Sequence, residues 1–208
     1  MRVLKLVQMT EIVATEPYKS SEVRRRVERD LGEAINAVVW PPGSKSFRIP
    51  PGKHLNGVVP IKNGFVAKLI EQGWRGQEKF PKASDDTALE VLPGAFDVWL
   101  DLGRMAAAIA EWETGNISSS HRSINRMTRA IMEGHAIAGY LVVPSRSLYP
   151  HLTDRIGNFR ELTPYFRLWR KLPLGASLLA IIEVEHDDLD PTVEPIPKGS
   201  DGNAMRAL

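Results

Sequence analysis

Glu111-Trp112-Glu113 is the part of the chain whose residue types and spacing could do chemistry. On a strand, residues i and i+2 point to the same face, so the two carboxylates would stand side by side. Asp97, in the run Ala95-Phe96-Asp97-Val98-Trp99-Leu100, would reach them from a neighbouring strand. Three clustered acids repel one another unless a cation sits among them. Oxygen-only ligands, with no His or Cys nearby, select a hard ion such as Mg²⁺, Mn²⁺ or Ca²⁺ over zinc. Phosphodiester chemistry uses such ions to neutralise developing charge and to lower the pKa of an attacking water. Two other readings fit the same triplet. Glu-x-Glu can lie on a solvated sheet face. Alternatively, the acids can be a glycosidase pair, although neighbours on one strand stand too close for the inverting geometry.

Beyond the acids, Asn116, Ser118, Ser119, His121 and Arg122 occupy the first turns of a helix. Free N–H groups and the positive dipole end favour a phosphate or base edge there. Asn can pair with adenine and Arg with guanine in the major groove. The competing reading makes Ser118 an N-cap and Arg122 a surface residue. Charge distribution bears on the choice. The net charge of +2 says little, but residues 116–171 hold nine Arg/Lys against three Asp/Glu, and residues 183–190 hold five acids and no Lys or Arg. This asymmetry suits a polyanion on one face, or else a mixed solvated surface.

The elements that must position these groups are legible from periodicity. Apolar Val23, Val27, Leu31, Ala34, Ile35 and Val38 predict a helix over 20–39 behind a Ser cap. Pro41-Pro42-Gly43 ends it, and 40–57 reads as loop with at most one short strand. Residues 59–72 resume helical spacing through Ile61, Phe65, Leu69 and Ile70; 82–87 is polar and expected to be mobile. Residues 95–100 and 106–114 predict a hairpin turning near Gly103, although the alanine run in the second arm also suits a helix. Residues 117–133 form an amphipathic helix with Ile117, Ile124, Met127 and Ile131 on one stripe, stopped by Gly134. Strands are expected at 137–143 and 178–184, with a helix over 158–171 that Pro164 must start or kink. From Asp190 the chain reads as irregular. The order of elements predicts an α/β fold, a central mixed sheet with helices on both faces, in one domain spanning 1–208.

Composition excludes other classes. Without cysteine there is no zinc ribbon, thiol nucleophile or disulfide framework. No apolar run approaches the roughly 18–20 residues needed to span a bilayer, and the N-terminus lacks a signal-peptide core. A soluble, cytoplasmic protein with no membrane partner is expected.

The run 111–125, Glu111-Trp112-Glu113-Thr114-Gly115-Asn116-Ile117-Ser118-Ser119-Ser120-His121-Arg122-Ser123-Ile124-Asn125, closely resembles the catalytic and recognition segment of the BamHI family of type II restriction endonucleases. Four more motifs resemble that family in the same order: Trp40-Pro41-x-x-Ser44-Lys45-x-Phe47, Asn56-Gly57-Val58-Val59-Pro60-Ile61-Lys62, Leu152-Thr153-Asp154-Arg155-x-x-Asn158-Phe159-x-Glu161-Leu162-x-Pro164-Tyr165-Phe166, and Ile196-Pro197-Lys198-Gly199-Ser200-Asp201-Gly202. The resemblance implies a restriction-endonuclease-like core and two Mg²⁺ ions per active site. Glu78, Asp97, Glu111 and the backbone carbonyl of Trp112 would hold the metal. Glu113 would stand where most such nucleases carry a lysine, and would orient or deprotonate the attacking water. Asn116, Ser118, Arg122, Asp154 and Arg155 would read base edges, and Gly199, Asp201 and Gly202 would belong to a C-terminal arm that approaches the minor groove. The chain stops at Leu208, so a terminal helix of the family is expected to be missing. The expected target is double-stranded DNA at GGATCC, cut to a 5′-phosphate with four-base 5′ overhangs. A palindrome implies a homodimer, with Glu133 on one helix facing Arg167 or Arg170 on another across the two-fold. A prokaryotic cytoplasm and a cognate DNA methyltransferase, not in stable complex, complete the expectation. The alternative is a DNA-binding relative that has lost cleavage.

Overall fold

A computed structural model of the protein describes residues 4–76, 95–103 and 106–198. Glu78, Gly199, Asp201, Gly202 and the polar stretch 82–87 lie outside the described residues. The chain enters through β1 (Lys5–Ala14) and α1 (Glu22–Ala37). Next come β2 (Arg48–Ile49), α2 (Val59–Glu71) and β3 (Arg75–Gly76). The hairpin arms are β4 (Val98–Asp101) and β5 (Ala107–Trp112), followed by α3 (Ile117–Met132) and β6 (Ala136–Pro144). Two single-turn helices, α4 (Phe159–Leu162) and α5 (Phe166–Trp169), precede β7 (Leu178–Glu185) and β8 (Asp188–Leu189).

Six strands form one mixed sheet in the order β1-β7-β6-β5-β4-β3, parallel only across β5-β6-β7. A separate parallel pair joins β2 to β8. The period of two divides the sheet's faces. Ala108, Ala110 and Trp112 of β5 pack with the buried residues of α1 and α2, while Ala107 and Ile109 pack with Ile124, Met127 and Ala130 of α3. Helices therefore cover both faces, as the sequence predicts.

The helices form for local reasons. Ser21 caps α1, its Oγ accepting from Arg24 N at 3.1 Å, and Val27, Leu31, Ala34 and Ile35 repeat at turn spacing toward the sheet. Ile61, Phe65 and Leu69 do the same in α2. Gly134, at φ +76, ends the turn after α3 where an L side chain would be strained.

Two expectations are refined. The single helix over 158–171 is broken, because a 3₁₀ turn at Thr163–Tyr165 holds Pro164 between α4 and α5. Strand β1 lies in a stretch where periodicity gave no signal. It is an edge strand with one buried residue, Ile12, and register shifts at Leu6/Gln8 and Glu11/Val13 interrupt its alternation.

Candidate active site

Glu111 shares its parity with Ala107 and Ile109, so it leaves β5 on the α3 side. Val98 pairs with Ala110 across the hairpin, and Asp97 therefore stands one step on, opposite Glu111. Asp97 is held from two sides: its Oδ2 accepts from Trp112 N at 3.0 Å and its Oδ1 lies 3.3 Å from Lys62 Nζ of α2. The Trp112 side chain points the other way, its ring 5.1 Å from Phe65. Glu113 lies just past β5 but continues its ladder, donating its backbone N–H to Val142 O at 2.9 Å.

Glu111 and Glu113 are each only 4 % exposed, which removes the solvated-face reading of the triplet. A carboxylate in such a place needs partners inside the protein. Arg126 of α3 meets Glu111 in an ion pair. Burial raises the Glu111 pKa; Arg126, Ser123 and Arg122 oppose the rise, while the nearby charge of Asp97 adds to it. Glu113 receives the Gly115 N–H on Oε1 at 2.6 Å and the Ser120 hydroxyl on Oε2. Burial still lifts Glu113 to about 7, against the lowering effect of these hydrogen bonds and helped by the charge on Glu111. A carboxyl poised there can take up and release a proton near neutrality.

The side-chain donors of Asp97 and Glu111 are oxygen only, which suits a hard divalent cation. Among the described residues, no three His, Cys, Asp or Glu side chains converge tightly enough to cage a metal by themselves.

The predicted base-reading residues come together beside this cluster. Asn116 caps α3, its Oδ1 accepting from Ser119 N at 3.2 Å, so the cap is Asn116 and not Ser118. Asn116, Ser118 and Arg122 are exposed on the first turns. The loop carrying Asp154 and Arg155 is stitched to the same place by an antiparallel bridge between Asn116 and Ile156 and by Gly157 N donating to Gly115 O at 2.9 Å. Gly157 permits this approach, since a Cβ there would collide with the Ser120 hydroxyl. The side chains of Asp154 and Arg155 are open to solvent, and Arg155 takes a left-handed backbone at φ +62. The buried acids and the exposed polar residues thus adjoin at the start of α3.

Three residues of this arrangement carried no role in the sequence reading: Arg126, Lys62 and Ser120. Ser120, seven residues after Glu113, is the one a helical wheel could have found, because it lies on the buried side of the first turns.

The BamHI restriction endonuclease family model matches residues 4–203. The type II restriction enzyme OkrAI of Oceanobacter kriegii is 47% identical over 177 residues, covering 85% of this chain and 88% of that protein. The type II restriction enzyme BamHI of Bacillus amyloliquefaciens is 32% identical over 200 residues, covering 94% and 90%. Among solved structures, the restriction endonuclease BglII complexed with a DNA 16-mer matches with a TM-score of 0.55 over 86% of this chain and 78% of that one, at 9% identity, a likeness of fold. No helix among the described residues is long and apolar enough to cross a membrane. With its acids buried at the end of a sheet and its match running nearly end to end, the chain belongs to the BamHI family of restriction endonucleases, site-specific deoxyribonucleases of type II.

Proposed function

We propose that the protein cuts both strands of DNA at GGATCC in a Mg²⁺-dependent reaction, as a homodimer, leaving 5′-phosphates and four-base 5′ overhangs. The observation that carries this reading is the placement of Asp97, Glu111 and Glu113 at one end of β4 and β5, directly beside exposed Asn116, Ser118, Arg122, Asp154 and Arg155. Asp97, Glu111 and the Trp112 carbonyl, with Glu78 from outside the described residues, would hold the metal. Bound there, divalent ions supply Lewis-acid stabilisation of the phosphoryl oxygens and a more acidic water.

The chain's own residues do the rest. Glu113 accepts the proton of the attacking water, and its two oxygens are oriented in advance by Gly115 and Ser120. Arg126 and Lys62 balance the acids' charge before substrate arrives. Asp154 accepts from cytosine and Arg155 donates to guanine, while Asn116, Ser118 and Arg122 present the start of α3 to the major groove. Gly199, Asp201 and Gly202, outside the described residues, would belong to an arm that approaches the minor groove.

A two-fold site needs a two-fold protein. The surface of α3 and α5 supports one: Met132 and Leu168 are 59% and 62% exposed, at a groove of about 570 Å³ that Glu133 also lines. Glu133 already pairs with Arg129 at 2.5 Å within the chain, and Arg167 and Arg170 stand exposed nearby for the partner's Glu133. Dimerisation that survives Glu133→Lys unchanged at low salt would remove this pairing. The enzyme would act in a prokaryotic cytoplasm whose own GGATCC sites a separate methyltransferase protects.

The test is incubation of the full chain with plasmid carrying one GGATCC site, with Mg²⁺ or with EDTA, followed by end sequencing. A single Mg²⁺-dependent cut with the stated ends is expected. Tight site binding without cutting would mark a binder that has lost catalysis, and cutting elsewhere would displace GGATCC.

A further inference from the structure

Asp154 and Arg155 are sequence neighbours of opposite charge, with Arg155 Nε 3.5 Å from Asp154 Oδ2 and both side chains largely in solvent. The pair is in contact through Nε only; were the terminal nitrogens of Arg155 to fold onto the carboxylate as well, the acceptor and the donor that base reading requires would neutralise each other. The other carboxylate oxygen, Oδ1, lies 3.4 Å from Nε2 of His54. We propose that His54 is a positioning residue for recognition: it holds the Asp154 carboxylate by Oδ1, so that Asp154 and the terminal nitrogens of Arg155 stay presented to a base pair. This inference rests on the base-reading role proposed above for these two residues.

The histidine is carried there by a second stitched loop. His54 N donates to Pro150 O at 2.9 Å and Asn56 N to His151 O at 2.9 Å, so 54–56 runs alongside 150–152. Asn56, fully buried, donates its amide to Pro50 O and His151 O, and Thr153 Oγ1 returns a bond to Asn56 O. His54 Nδ1 lies 3.3 Å from Leu152 O, two residues before Asp154. Both groups facing the ring, Leu152 O at Nδ1 and Asp154 Oδ1 at Nε2, are acceptors.

The backbone strengthens the assignment. His54 sits at φ +56, a left-handed conformation that Gly or Asn adopts more readily. Local conformation therefore does not account for a histidine here. Reach does: an Asn amide can replace Nδ1 toward Leu152 but stops short of Asp154, whereas a Gln amide extends to the Nε2 position.

The experiment measures cleavage by the full chain of a GGATCC duplex and of duplexes with each base pair symmetrically replaced. His54→Asn should lose about fivefold in discrimination at the base pair that Asp154→Asn also affects, with other positions and Tm unchanged. His54→Gln should retain discrimination, and His54→Asn should add nothing in an Asp154→Asn background. If His54→Asn lowers Tm, comparing His54→Gln with His54→Met, similar in length but without a donor, makes the same test. Wild-type discrimination in His54→Asn, an even loss at all positions, or an additive effect in the Asp154→Asn background would overturn the positioning role while leaving the function intact. A wild-type chain with no sequence preference would instead remove the base-reading role, and this inference with it.

Discussion

Glu111 and Glu113 are each 4 % exposed, whereas the side chains of Asp154 and Arg155, one stitched loop away, are 55% and 84% exposed. The two regions handle charge in opposite ways. A buried carboxylate must find its partners inside the protein, so its geometry is set before any substrate arrives. An exposed charge is satisfied by water and takes its final partner from the ligand. The buried end, proposed to be catalytic, is therefore preorganised and costly to the fold, and the exposed end, proposed to read bases, contributes little to stability while remaining open to a ligand.

The sharpest way to break the comparison is Glu113→Gln. If Glu113 is the proton acceptor, the cleavage rate should fall roughly a thousandfold, with binding to a GGATCC duplex retained in a gel-shift assay. The same variant exposes the cost of burial. Burial lifts Glu113 from 4.5 to about 7, so the fold favours the neutral acid. The penalty is absent below the unfolded value and complete above the folded one. In EDTA, Glu113→Gln should be more stable than wild type by about 3 kcal/mol near pH 8. Urea melts should show the difference vanishing as pH falls below the unfolded value, and a constant offset would contradict the assignment.

Arg126→Leu tests the partner instead of the acid. Leaving Glu111 buried without its guanidinium should cost about 3 kcal/mol, and adding Glu111→Gln should recover most of it. Chemical denaturation of the single and double variants decides. Gly157→Ala acts on the seam between the regions, because the new methyl meets the Ser120 hydroxyl that holds Glu113. Overpacking there should cost about 2 kcal/mol. It should also impair both cutting rate and site discrimination, and an effect on only one of them would show that the seam does not couple the regions. The smallest effect on the fold belongs to Arg155→Ala. Stability should stay within about 0.5 kcal/mol of wild type, while affinity for the site falls about tenfold or more, as titration of labelled duplex would show.

Much of this was legible before any coordinates. The acids of 111–113 announce themselves by type and by a spacing of two, and α1, α2 and α3 by apolar residues at turn spacing. The central strands β6 and β7 are built on short, β-branched apolar runs, as a buried strand requires. Strand β1 was not legible, because an edge strand buries little and its bulges break the alternation that would reveal it. The break between α4 and α5 was half legible: Pro164 required a disruption, but whether the chain would kink or begin anew depended on packing around Phe166 and Trp169.

The sequence by itself determined which carboxylates and polar groups this protein clusters, and through five collinear motifs it determined the family. Only the tertiary structure decided how those groups are partnered. Arg126 lies 15 residues from Glu111, Lys62 lies 35 from Asp97, and His54 meets Asp154 across the middle of the chain. Periodicity follows from the geometry of a single element and is written along the chain. The pairing and burial of charge follow from where distant elements meet, so no local pattern records them.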